Sequence, residues 1–247
     1  MLATRVTEQE VMSVIEPEWT KSWHPVSHGK VIEAMELAVK ETGMGIVNRN
    51  YSLVAGGANV FGSWTLDKAE NGMKWAVGFR NSMNKSFPVG VCAGNYVMVC
   101  SNMQFRGDDF IEFRRHTGGL DWDELVEIAQ RAMAGLVDRM AKLAEWLRFL
   151  KERRMDQDDL KVLTFDAMKG QVFSPQQFPQ FLDCIEMEKK DSPETGGTLY
   201  QFNGGVTRLL KDQSLFNISN RTTKLIKMLE GFVDAHPLLR RRALVTV

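Results

Sequence analysis

Cysteine, histidine and proline are scarce in this chain: three, four and seven among 247 residues. Each scarcity excludes something. Cys92, Cys100 and Cys184 form no C-x-x-C pair, and His24, His28, His116 and His236 lack zinc-site spacing, so neither a metal site nor a disulfide scaffold is expected. The thiols read as reduced core residues. His24 and His28 stand four apart, but Pro25 interrupts the helical face a metal pair would need. So few prolines leave no stiff or disordered linker. Neither sign of charge is in excess, with 31 Lys plus Arg against 31 Asp plus Glu, so no global field draws in a polyanion and any nucleic-acid role must rest on a local patch. No run approaches the roughly 18 apolar residues of a membrane span. The opening MLATRVTEQE has neither the charged nor the apolar region of a secretory signal, so a cytoplasmic protein is expected. P-loop, GxGxxG and GxSxG motifs are missing too; no catalytic residue and no cofactor is assigned.

What is present is an ordinary globular composition, 44% hydrophobic and 25% charged. Residues 1–29 read as irregular. VIEAMELAVKETG then has helical spacing through Val31, Met35 and Ala38, with Gly43 as a stop. Period-two segments follow: GIVNRNYSLVA (45–55), NVFGSWTLD (59–67) and KWAVGFRNS (74–82), parted by Gly56-Gly57-Ala58 and an Asn71-Gly72 turn. Trp75, Val77 and Phe79 share one face of the third; Ala76, Gly78, Arg80 and Ser82 share the other, which is small and polar. Residues 88–105 are long for one strand, with bends expected at Gly90 and Gly94, and FIEFRRH (110–116) alternates again. From Leu120 the period becomes 3.6, predicting one long helix with Asp121 as N-cap and a stripe from Trp122 through Leu125, Met133 and Leu143 to Leu150. The rest reads as helical. The expected fold is α+β: an N-terminal helix, a curved antiparallel meander of four to five strands, a long amphipathic helix and a mostly helical C-terminal part. A boundary near 119/120 would separate a sheet domain, 1–119, from a helical region, 120–247, unless the long helix welds both into one domain.

Candidate binding residues gather in two places. Arg80, Asn81, Ser82, Lys85 and Ser86 concentrate phosphate-binding groups beside a glycine-rich stretch, though the same residues also read as a solvated hairpin with Asn turns. Arg106, Arg114, Arg115 and His116 lie on and beside the last strand and could track a nucleic-acid backbone, or protect a solvated edge. Adjacent arginines on a strand point to opposite faces, so at most one of Arg114 and Arg115 shares a surface with Arg80. Trp64, Phe87, Tyr96 and Phe105 offer stacking platforms, but alternate with apolar residues and read mostly as core. The basic runs Arg148, Lys151, Arg153, Arg154 and Arg240–Arg242 read as solvated helix ends.

Four stretches together resemble a family of uncharacterised phage and plasmid proteins: EPEWTKSWHPVSHGKVIEAMELAVKETGMGIVNRNYSL, GFRNSMNKSFPVGVCAGNYVMVCSNMQF, RRHTGGLDWDELVEIA and TLYQFNGGVTRLL. The family usually reads RNSHDKS where this chain has Met83 and Asn84, a departure that weakens any catalytic role for the His-Asp pair. In order of elements the chain is similar to ring-forming single-strand annealing recombinases of the Erf and Red-beta types. That likeness implies a homo-oligomer that anneals single-stranded DNA in recombination; the basic residues themselves suggest that single strands bind in a groove floored by the sheet and lined by Arg80, Lys85, Arg106 and Arg114 or Arg115, in the host cytoplasm. The alternative is a counter-defence or regulatory protein that binds a host protein or a small nucleotide signal without catalysis.

Overall fold

The architecture begins earlier than periodicity reveals. The computed structural model describes residues 4–70, 73–97, 102–117, 120–211, 213 and 215–235. Within the stretch read as irregular, β1 (Thr4–Val6) pairs antiparallel with β2 (Ile46–Val54), and α1 (Glu8–Met12) opens on a capping box in which Thr7 and Glu10 satisfy each other's backbone N–H. Elements of three and five residues are too short to carry a period. The Glu8 carboxylate fixes α1 to the sheet, accepting from Tyr51 Oη at 2.6 Å and from Arg49 at 2.9 Å, while Arg49 also pairs with Glu36 of the next helix.

That helix, α2 (His28–Glu41), starts at Ser27, whose hydroxyl accepts from the Lys30 N–H, and stops before Gly43 at φ +73°. A meander follows: β2, β3 (Asn59–Glu70), β4 (Met73–Ser82), β5 (Val89–Val97) and β6 (Asn102–Arg114), in the spatial order β1-β2-β3-β4-β5-β6 with every pair antiparallel. The fold is therefore α+β, with an open, curved sheet. Gly90 and Gly94 are not bends between strands. Both lie in register within β5, opposite Arg80 and Ala76, and the β5/β6 ladder shifts beside Gly94 as at a bulge.

Each face of the sheet carries a core. On one, Tyr51, Val60, Trp64, Trp75, Val77, Phe79 and Val91 pack against α2 and the front of α3 (Trp122–Glu152). Phe79 crosses Trp64 edge-on at 4.9 Å between centroids, and its ring lies over Gly62, the residue directly across the ladder, where a Cβ would come within 2.1 Å of it. On the other face, Phe61, Ala76 and Cys92 join a core built by α4 (Gln157–Lys169), α5 (Phe178–Asp191), α6 (Leu199–Leu210) and α7 (Leu215–Ala235). The face read as small and polar, and as the floor of a nucleic-acid groove, is thus under helices: Ser52, Ser63 and Thr65 on it are buried. Their small side chains let α7 approach.

α3 begins at Asp121, which caps the Glu124 N–H, and at about 46 Å is longer than the sheet is wide. Leu125 to Met140 pack on the first core, Leu147 and Leu150 on the second, and Leu143 touches both. Trp122, expected at the head of the stripe, is exposed. Arg153 is no solvated helix end: it is buried over the Phe149 ring at 4.3 Å, and Arg154 donates to the Gly196 carbonyl. Arg240–Arg242 lie outside the described residues. In the TLYQFNGGVTRLL block, a Cβ on Gly204 would fall 2.4 Å from Glu188 Oε1 and one on Gly205 2.7 Å from Ile185 Cδ1, so these glycines allow α5 and α6 to touch backbone to backbone.

Candidate nucleic-acid interface

The RNSMNKS segment divides its labour. Asn81 points into the first core, where its Nδ2 donates to the Val26 carbonyl at 2.8 Å and to His28 Nδ1 at 2.9 Å. Only the amide nitrogen can donate to Val26 O, which fixes the orientation of Asn81, makes Nδ1 of His28 an acceptor and leaves Nε2–H to donate to Gly57 O at 2.8 Å. Burial holds the His28 pKa below its ordinary value, so the ring is neutral. Asn81 and His28 are therefore a structural bracket tying α2 to the β2–β3 turn and β4, and His28 has no nitrogen left for a metal.

Ser82 and Asn84 build the β4–β5 connection. Asn84 Oδ1 accepts from Ser82 Oγ, Ser86 N and Ser86 Oγ, while Met83 is buried and its N–H donates to Ala58 O at 2.7 Å. Asn84 acts here only through an acceptor oxygen, which an aspartate would supply equally. Ser82 is buried in this turn and not presented outward. The turn holds Lys85 at φ +67°, a left-handed conformation that costs a non-glycine residue about 1 kcal/mol, and its ammonium lies 5.1 Å from the centroid of Trp23.

Arg80 and Arg114 part company. Arg80 is half-buried on the face covered by the C-terminal helices, stacks its guanidinium over Phe87 at 5.0 Å, and has its pKa drawn below the ordinary value by that burial. Arg114, one face across, reaches α3 instead and pairs with Glu124 at 2.7 Å. Arg106 falls on β6, and its side chain, like those of Tyr96 and Phe105, lies outside the described residues. Trp64 is core, its Nε1 donating to Tyr51.

The remaining candidates converge. At one end of the sheet, three segments enclose a cleft of ≈ 460 Å³: Ser22 and Trp23 before α2, residues 85–88 of the β4–β5 connection, and residues 115–117 beyond β6. Lys85, Ser86, Arg115 and His116 therefore meet, walled by Trp23, Phe87 and Pro88. Among the described residues no Asp or Glu lines the cleft, and Arg115 is exposed with no ion-pair partner. His116 is 5% exposed, its backbone carbonyl accepting from His24 N at 3.3 Å. Burial forces its pKa down to about 4; the His24 backbone favours the charged ring slightly but lies outside hydrogen-bond geometry, and neither ring nitrogen has a partner among the described residues. The indole N–H of Trp23 is buried and unpartnered as well. A second cleft, ≈ 590 Å³ between α3 and α7, holds Glu145, Glu152, Glu230 and Asp234 against Lys142 and Arg148, a balance that disfavours phosphate.

No family model, curated protein or solved structure matches the chain in comparison with known proteins. Sequence reasoning missed Trp23 as a site residue, because nothing local connects it to Lys85 or His116. Among the described residues, no helix is long and apolar enough to cross a membrane, and no three His, Cys, Asp or Glu side chains gather as a metal site.

Proposed function

We propose that the protein binds single-stranded nucleic acid without catalysis, gripping the backbone at this cleft, and aligns strands for annealing as a homo-oligomer in phage or plasmid recombination. The observation that carries the reading is the meeting of Lys85, Ser86 and Arg115 in a cleft with no carboxylate among its described lining residues, in a chain whose charges cancel overall. Such a site holds phosphate by charge-assisted hydrogen bonds. With both sheet faces covered by helices, the strand follows the end of the sheet instead of its floor. The oligomeric and mobile-element parts of the reading rest on the resemblances in sequence and element order.

The test is fluorescence anisotropy with single-stranded and duplex oligonucleotides at several salt concentrations, with mass photometry on the same samples. Single strands should bind at micromolar concentration or tighter at low salt, with affinity falling with a logarithmic slope of about −0.7 per phosphate neutralised. Replacing both Lys85 and Arg115 by Ala should flatten that slope by about 1.4. Absence of binding at low salt would refute the proposal. The size of the cleft favours one second reading, a small free nucleotide bound as a signal, since sites for such ligands span roughly 300 to 1,000 Å³; tight mononucleotide binding without strand binding would select it.

A further inference from the structure

The cations at the mouth of the cleft account for a phosphate, but not for what lies behind them. Three buried nitrogens belonging to two of its lining residues, Nδ1 and Nε2 of His116 and Nε1 of Trp23, have almost no exposed surface and no hydrogen-bond partner among the described residues. Buried polar groups in native proteins are nearly always paired, and an orphan costs about 1–3 kcal/mol, so a group of three at one cavity calls for a partner that enters it. Their chemistry limits that partner. The indole only donates, whereas a neutral imidazole donates from one nitrogen and accepts at the other. A fully ionised phosphate only accepts and cannot satisfy the accepting nitrogen. The partner must bring both a donor and an acceptor on an uncharged group, attached to an anion that reaches Lys85 and Arg115.

We propose that the cleft takes a whole nucleoside monophosphate unit, its phosphate on Lys85 and Arg115 and its base turned inward to exchange hydrogen bonds with His116 and Trp23. Resting on the strand-binding reading, this adds that the protein reads bases as well as backbone. A nucleobase edge carries donors and acceptors side by side, and its flat ring suits a cleft walled by Trp23 and Phe87. The unit can come from a strand or from a free nucleotide, and both sources are tested.

The experiment titrates the full chain with a short single strand and with the same strand made abasic throughout, and titrates ¹⁵N-histidine-labelled protein with deoxynucleoside monophosphates and with deoxyribose 5-phosphate. Intact strands should bind at least tenfold more tightly than abasic ones, His116→Phe should remove that margin, and monophosphates bearing a base should shift the His116 ring nitrogens where the sugar phosphate does not. The nitrogen shifts are read on unaltered protein, so the test survives a variant that fails to fold. Equal binding of intact and abasic strands, abolished by K85A/R115A, would overturn the inference and leave the strand-binding reading standing. Shifts from monophosphates with no strand binding would uphold the base-reading cleft and assign it to a free nucleotide. No shift and no binding would remove both.

Discussion

Asn81 and His116 are both polar, both nearly inaccessible, and carry opposite expectations under mutation. Asn81 is satisfied on the donor side, so Asn81→Ala leaves Val26 O and His28 Nδ1 without their donor and should cost about 1–3 kcal/mol, read as a lower urea midpoint at unchanged slope. His116→Phe removes two unpartnered nitrogens and should be neutral or stabilising at pH 7. The same residue predicts a pH dependence. With its folded pKa at about 4 and an ordinary value near 6.5, the unfolded chain takes up a proton that the folded chain refuses. Stability contributed by neutral His116 is complete above pH 6.5 and declines as the pH falls towards about 4; below that its slope is zero. Carboxylates such as Glu8, held below their ordinary values, weaken the fold in acid as well, so the informative quantity is the stability of H116F minus that of wild type, which should grow in favour of H116F from pH 7 to pH 4 in paired urea titrations. A constant difference would contradict the assignment.

Among the elements, the close approaches across glycine are the firmest points for prediction. Phe79 is fully buried between Gly62, Trp64 and Tyr51, so Gly62→Ala must displace a ring with nowhere to go and should cost about 1–3 kcal/mol or more. Gly205→Ala should push α6 off Ile185 of α5 at similar cost, whereas an alanine at Gly231, which meets nothing within 4 Å, should be tolerated or slightly favourable; thermal melts of the three compare them directly. Which elements exist was largely legible in the sequence, because period two gave way to 3.6 at Leu120 and Asp121 announced α3. Lost to inspection were features fixed at a distance: the pairing of β1 with β2, the fate of the Ala76 face, and the cleft, where Trp23, Lys85 and His116 come from segments tens of residues apart. Of the nine candidate residues, Lys85, Ser86, Arg115 and His116 meet there. Asn81 and Ser82 lie buried away from it; a polar residue at a strand end reads the same whether it faces solvent or turns inward.

At the scale of the whole molecule, the sheet is common property. Its two faces belong to different cores, one closed by α2 and α3 and the other by α4 to α7, while Leu143 of α3 touches both. Unfolding should therefore be a single transition, with tryptophan fluorescence and far-ultraviolet circular dichroism coinciding in urea. Separated curves would mean that the helical part melts on its own. The N-terminal strand is drawn into the same unit, since Arg5 donates to the carbonyl of Lys211 at the end of α6.

That last bond joins residues 206 positions apart, and it gives the molecule a timetable. Each β hairpin pairs neighbours in sequence and can form as the chain leaves the ribosome, but the cover for Phe61, Ala76 and Cys92 is encoded more than a hundred residues later, in α6 and α7. At roughly 5–20 residues per second, the nascent sheet waits on the order of ten seconds with Phe61, Ala76 and Cys92 uncovered.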